Sequence, residues 1–438
     1  MSMVDVAVVV GFTLGGVALG TASGLVPGLH ANNFALLLAA TAAAVPGPPA
    51  AVAAAMLAAG VVHTFLDAVP ALALGVPDAS MVATALPGHR LVIAGRGREA
   101  VRLSALGSGI AVTVALVLAV PVTRAMTAVY PTLRAHLPLV LGAFVAVLVL
   151  TEHTWPARLA GLGSFFAASA LGAATLDVSP SAPLAAGSVL TPLFAGLFGA
   201  PVLVEAIGGR GVPPQADPHV TLDRLAVARN GLAGTLGGAG VGYLPGVSAA
   251  VAAVVVLTAM PGDDPPPEVR PTGPFAPAEK PDERRGAGTG AGPTPAQLDA
   301  ARRYVVATSG VNTANTVFAL FALVALGTPR TGVLVAVERS GRVVLPAALS
   351  AVVVAAACGF LLVLSVGDGY LRAVGRMDAT RLSLALLSLL GLLSYLFAGP
   401  LGVGVYALAT LVGLVPPQLG CRRVHLMGVL IGPLILGV

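Results

Sequence analysis

Charge is what this chain has least of. Of its 438 residues, 10% are Asp, Glu, Lys or Arg, against 56% that are hydrophobic. Soluble domains carry about a quarter charged residues, so a water-soluble globule of this length is excluded and lipid is the expected solvent. Cysteine is equally scarce: Cys358 and Cys421 stand alone, with no CxxC spacing, which argues against a disulfide framework or a thiolate metal site. Strand-like alternation of polar and apolar residues is missing, which argues against an outer-membrane barrel. No basic patch with interleaved aromatics occurs, so nucleic acid is not an expected partner despite the formal charge of +5. There is no Walker loop or dinucleotide fingerprint, so ATP coupling within the chain is unsupported. His136, His153 and His425 lack spaced companions, so no metal site is expected. Asp368, in Gly367-Asp368-Gly369, has no second acid in a comparable setting, which leaves an intramembrane protease unsupported.

What is present is apolar sequence in lengths that suit a bilayer, about 20 residues per crossing. Runs at 4–24, 50–75, 103–123, 137–150, 157–177 and 183–207 fill the first half. Those at 225–244, 247–260, 304–326, 343–366, 382–397, 399–415 and 424–438 fill the second. Val6–Gly24 lacks a basic lead and a cleavage site, and reads as a retained span. The fold class is therefore an all-α polytopic membrane protein with about ten to fourteen embedded segments. Residues 261–303 break the pattern with Asp-Asp-Pro-Pro-Pro, Arg284-Arg285 and a Gly/Thr/Pro run, and read as a disordered hydrophilic loop.

The chain also resembles itself. Gly16, Gly20, Gly24, Pro27 and Gly28 recur at an offset of 218 as Gly234, Gly238, Gly242, Pro245 and Gly246. Beyond the hydrophilic loop the offset becomes 252, laying Thr64 on Thr316, Gly107 on Gly359 and Arg124 on Arg376. One insertion in a duplicated unit explains both values. Two membrane repeats follow, 1–210 and 225–438, the second made of 225–260 and 304–438 around the loop. The basic loops at 87–102 and 330–342 suit a parallel repeat, whereas inverted repeats are common in secondary transporters. The expectation taken here is inverted.

The candidate site residues sit where the repeat breaks its own helices. Pro removes a backbone donor and Gly admits unusual φ/ψ, so Pro27-Gly28 and Pro245-Gly246 open the helix ladder in a medium that supplies no water. His30, Asn32 and Asn33 follow the first break and Ser248 the second. Such broken helices, or re-entrant hairpins, can offer N–H groups to an anion and carbonyls to a cation. Gly75 and Pro77 form a further Gly/Pro break. Asp67, inside an apolar run, is the candidate for a cation or proton partner. Asn312, Thr313, Asn315 and Thr316 supply neutral oxygens for the same purpose, or hydrogen bonds between helices.

These motifs resemble those of the TctA family, the large membrane subunits of tripartite tricarboxylate transporters. The similarity rests on Gly-x3-Gly-x2-Pro-Gly, on its copy at Gly242-Tyr243-Leu244-Pro245-Gly246, and on Gly75-Val76-Pro77 ahead of Leu86-Pro87-Gly88-His89-Arg90. It extends to Leu193-Phe194-Ala195-Gly196-Leu197-Phe198-Gly199. The chain departs in its Pro-Gly-Leu-His and Pro-Gly-Val-Ser sequences and in its central insert, as a divergent, compact branch would. The resemblance implies secondary, ion-driven uptake of carboxylates such as citrate, with a small membrane subunit and an extracytoplasmic binding protein as partners. It points to Pro27, Gly28, Pro245, Gly246, Gly75 and Pro77 as site positions. The expected protein is a permease in a prokaryotic plasma membrane, moving a small organic anion with Na+ or H+. No other cofactor is expected. Two other classes stay open: a membrane scaffold or receptor acting through 261–303, and an intramembrane enzyme.

Overall fold

A computed structural model describes residues 3–27, 29, 31–41, 45–75, 82–184, 187–209, 211–244, 247, 249–258, 293–341 and 343–437. Among these the chain is helical, with no strand. Its first half contains α1 (Met3–Gly24), α2 (Ala31–Thr41), α3 (Pro49–Leu66), α4 (Ala68–Leu74), α5 (Val82–Ile93), α6 (Gly97–Ala135), α7 (Leu137–Leu150), α8 (Trp155–Thr175) and α9 (Leu190–Ala206). The second contains α10 (Arg224–Tyr243), α11 (Ala249–Thr258), α12 (Pro295–Leu326), α13 (Gly332–Arg339), α14 (Leu345–Val374), α15 (Ala379–Gln418) and α16 (Arg423–Leu436). Among the described residues, seven helices are long and apolar enough to cross a bilayer, and three more are shorter apolar helices.

Three expectations from sequence are corrected by the structure. The basic stretch 87–102, read as a loop, is helix on both sides of a turn at Ala94–Arg96, and α6 runs for 39 residues. The equivalent stretch 330–342, also read as a loop, contains α13. The hydrophilic insert, read as continuing to 303, gives way to helix at Pro295. There Thr294 accepts from the Gln297 N–H while Gln297 reaches back to the Thr294 N–H, a capping box that starts α12. The rest of the insert lies outside the described residues.

Small residues decide how the helices pack. A side chain on Gly16 would run into the Ala55 carbonyl, and one on Gly20 into that of Ala59; one on Gly24 would collide with Leu66. Residue numbers rise together, so α1 lies parallel to α3. The second half repeats the contact: Gly234 abuts the Ala307 carbonyl, Gly238 that of Val311, and Gly242 the Phe318 side chain, so α10 lies parallel to α12. With little hydrophobic drive between helices in lipid, such close backbone approach supplies much of the association.

The halves also interlock. Ser104 meets Ser309 and Ser108 meets Thr313, so α6 runs parallel to α12 of the other half. Against α14 the order reverses: Arg98 pairs with Asp368, Val101 faces Gly367 and Gly109 faces Phe360, so those two helices are antiparallel. Further along, Gly172 of α8 approaches the Val429 carbonyl of α16, and Gly413 of α15 approaches the Leu197 carbonyl of α9. The unit Pro49–Leu74 is buried along nearly its whole length, while α1, α14 and α15 turn apolar residues such as Leu14, Leu361 and Leu411 outward, as lipid-facing helices do.

Three helix pairs fold back as hairpins. Gly47, beyond α2, packs on Phe12 of α1, and Gly237 of α10 on Val256 of α11. Within α15 the backbone leaves helical geometry at Gly399 (φ 60°, ψ −153°), ahead of Pro400. The Tyr406 hydroxyl then reaches the Leu387 carbonyl at 3.3 Å, so the two limbs lie side by side. The tip is held by the chain between α8 and α9, where the Leu184 and Ser188 N–H groups donate to the Leu396 and Phe397 carbonyls.

The turn between α7 and α8 is closed by charge. Glu152 Oε1 accepts from Arg422 Nε at 2.9 Å and from the Arg422 N–H at 3.1 Å, and lies 2.8 Å from His425 Nε2. Burial pushes the Glu152 carboxyl up, but the His425 hydrogen bond and the Arg422 guanidinium outweigh it and hold it at about 2, below the ordinary 4.5. A depressed carboxyl contributes stability that is complete above its unfolded pKa and is lost as pH falls through the folded one. The melting temperature of the purified protein should therefore decline between about pH 4.5 and 2, and Glu152→Gln should flatten that decline while lowering stability at pH 7. Packing gives a second test. Gly16→Val and Gly234→Val should each cost about 1–3 kcal/mol or more, read as a lower melting temperature in detergent. Gly15→Ala, which meets nothing within 4 Å, should leave it unchanged.

Candidate functional site

The site begins at a break in a hydrogen-bond ladder. Pro70 has no N–H to give the Leu66 carbonyl, so the ladder of the helix that starts at Pro49 is interrupted at Asp67, between α3 and α4, while Asp67 itself keeps helical φ/ψ. The Asp67 N–H still donates to the His63 carbonyl at 2.9 Å. Its carboxylate is buried, and Asn312 Nδ2 of α12 donates to Asp67 Oδ2 at 2.8 Å. Insertion scales put a carboxylate at mid-bilayer at roughly 2.5–3.5 kcal/mol, so a donor from a facing helix is what burial there demands. One turn earlier, His63 Nδ1 lies 2.9 Å from Ser23 Oγ of α1, and the ring stacks on Phe34 of α2 at 5.9 Å. Four helices, α1, α2, α3 and α12, thus converge on one buried polar centre.

A polar seam leads away from it along α6 and α12. Thr313 Oγ1 donates to Ser108 Oγ at 2.9 Å, Ser108 donates to the Ser309 carbonyl at 3.3 Å, and Ser104 and Ser309 are 2.9 Å apart. The seam ends at Glu99. There Oε1 accepts from Arg302 Nε at 2.9 Å and from the Thr221 N–H and hydroxyl at 2.8 and 2.7 Å, while Oε2 accepts from Arg96 Nε at 2.9 Å.

The residues expected from sequence fall into three groups. Asp67, Asn312 and Thr313 are buried in the centre and its seam, with Thr316 buried one turn beyond Asn312. Asn315 is half-buried, and its backbone abuts Gly238 and Gly242 of α10. Pro27 is buried in the turn after Gly24, whose own neighbours are Leu66, His63 and Asp67, so the first break lies beside the centre. Gly75 is elsewhere. It takes φ +68° at the end of α4, beside His89, whose Nδ1 lies 2.8 Å from the Leu72 carbonyl. Gly28, His30, Pro77, Pro245, Gly246 and Ser248 lie outside the described residues, as do the side chains of Asn32 and Asn33.

Ser23, Ser104, Ser108 and Ser309 were not expected, nor was His63 singled out as a site residue. The signal was available: Ser104 and Ser108, like Ser309 and Thr313, are four apart and share a helix face. In apolar helices that spacing marks a line of polar contact.

Membership is decided by extent. The chain matches the Tripartite tricarboxylate transporter TctA family over residues 10–428, nearly its whole length. It belongs to the TctA family. That is a transporter family, not an enzyme class, and its members are components of tripartite systems. The segment Leu193–Gly199, through which the TctA resemblance extends, is buried, and its Ala195–Gly199 portion forms a π-turn inside α9. An uncharacterized protein of Methanocaldococcus jannaschii is 23% identical over 433 residues, covering 96% of this TctA-family chain and 96% of the relative. No solved structure matches the chain.

Proposed function

We propose that this TctA-family chain is a permease that moves a small organic anion, tri- or dicarboxylate-like, across a prokaryotic plasma membrane with Na+ or H+. One observation carries the reading: the Asn312–Asp67 hydrogen bond joins α12 of one half to the α3–α4 unit of the other, beside the break at Pro27. A cation or proton at Asp67 would change the contact between halves directly. Anion binding is assigned to the helix breaks, where N–H groups are freed.

The packing supports a duplicated, inverted unit. Gly16 on Ala55, Gly20 on Ala59 and Gly24 on Leu66 become Gly234 on Ala307, Gly238 on Val311 and Gly242 on Phe318 when α1 is shifted by 218 and α3 by 252. Under the offset of 252, α6 corresponds to α14, and these two run antiparallel. Inverted halves that meet at a central site are a basis for alternating access by rocking of one against the other. A small membrane subunit and an extracytoplasmic binding protein are the expected partners, as in other tripartite systems.

Uptake of labelled citrate or succinate by proteoliposomes tests the assignment. Pro27→Leu should lower uptake about tenfold or more, equivalent to 1.4 kcal/mol, while membrane insertion stays normal. Asp67→Asn should make uptake indifferent to the Na+ and H+ gradients. Unchanged behaviour in both variants would remove the site from the account. Deleting 261–292 should leave uptake intact; a scaffold acting through that segment would instead lose its partner.

A further inference from the structure

Where α5, α6, α14 and α15 meet, two cavities of about 290 Å³ each share Val212 as a common wall. Their linings are unlike. The first is mostly hydrocarbon, with Leu74, Ile93, Leu203, Val374, Leu382 and Leu386 in its walls and His89 and Ser383 as its polar side chains. The second holds Arg98, Arg372 and Arg376, with Asp368 and Gln215.

The charges in the second cavity do not balance. Asp368 Oδ2 accepts from Nε and Nη2 of Arg98 at 3.0 and 2.7 Å and its Oδ1 from Arg102 at 3.4 Å, while the exposed Asp217 lies 3.2 Å from Arg98, so two acids already answer Arg98 and Arg102. Arg372 and Arg376, four residues apart at the exposed end of α14, form no ion pair among the described residues. The opposite wall is firmly held. Gln215 Oε1 accepts from the Gly97 N–H at 2.6 Å, its Nε2 donates to the Val92 and Pro213 carbonyls, and the Ala216 N–H donates to the Gly95 carbonyl. The space is therefore preformed, and its size is at the lower end of ligand sites, which run from roughly 300 to 1,000 Å³.

We propose that the paired cavities bind an amphipathic anion, its carboxylate or phosphate head held by Arg372 and Arg376 and its aliphatic body lying past Val212 in the apolar cavity. Guanidinium groups suit an oxyanion head. Hydrocarbon walls suit a chain, and each methylene moved into them tightens binding roughly fourfold. A tricarboxylate fits this pair poorly, because one of its charged groups would face carbon. The site is separate from the Asp67–Asn312 contact and is tested by binding rather than uptake, so it can fail while the permease reading stands, and the reverse.

The head chemistry has two sources, a free fatty carboxylate or an anionic phospholipid. The full chain in phosphatidylcholine nanodiscs is titrated with hexanoate, octanoate and decanoate, with citrate and inorganic phosphate alongside. Affinity should rise roughly fourfold per methylene, and the Arg372→Ala/Arg376→Ala double variant should lose about tenfold or more for every chain length. Val212→Phe should flatten the length dependence, with unchanged ligand-free melting showing that both variants fold. Decanoate displaced when phosphatidylglycerol is added to the nanodisc identifies a lipid occupant; decanoate retained identifies the free carboxylate. Citrate or phosphate binding as tightly as decanoate would overturn the proposal, as would arginine variants that bind like the wild type.

Discussion

A carboxylate inside an apolar helix bundle has to be matched by its neighbours, since lipid offers nothing in return. Asp67 is matched from across the molecule, by the Asn312 amide on α12. Much of the architecture can be understood from that requirement. Pro70 interrupts the helix ladder at Asp67, glycines on α1 allow a second helix to press against it, and α12 is long enough to carry a polar face past both halves.

The polar groups of this chain are few and are concentrated. Ser104, Ser108, Ser309 and Thr313 pair with each other across α6 and α12, and Glu99 gathers Arg96, Arg302 and Thr221 at the end of the seam. A half-satisfied polar group in this setting would be costly, so a line of mutually bonded side chains specifies how α6 and α12 register. Glu152, Arg422 and His425 do the same for the turn between α7 and α8. Packing does the rest: at Gly16, Gly172, Gly234 and Gly413 a backbone carbonyl occupies the space a side chain would need.

How much of this could be read from sequence differs by kind of feature. The apolar runs predicted helices closely, because bilayer length and composition are local properties. The Gly16/Gly20/Gly24 spacing and its copy were visible, as was Asp67 inside an apolar run. The basic stretch 87–102 misled because its charges look like loop charges until Glu99, Arg302 and Thr221 are seen to satisfy one another. The reversal at Gly399 was legible only as a boundary between two runs, whereas the positive φ of that glycine turns the chain sharply. Least legible was pairing: Asp67 meets Asn312, 245 residues away, and nothing local distinguishes Asn312 from Asn315 as that partner. The arginine cavity at the end of α14 was likewise hidden, because it is built from three separate stretches of chain.

Transport by the proposed mechanism depends on the Asp67–Asn312 contact being a working link between the halves. Exchanging the two side chains tests it directly: uptake is measured for Asp67→Asn, Asn312→Asp and the double exchange, in proteoliposomes of equal protein content. Asn312→Asp alone places two carboxylates together and should be severely impaired. The double exchange restores one acid and one amide and should recover uptake by about tenfold or more, within the 0.5–3 kcal/mol range of coupling between touching residues. If the losses simply add, with no recovery in the exchanged protein, the contact is not the link and the central claim is contradicted.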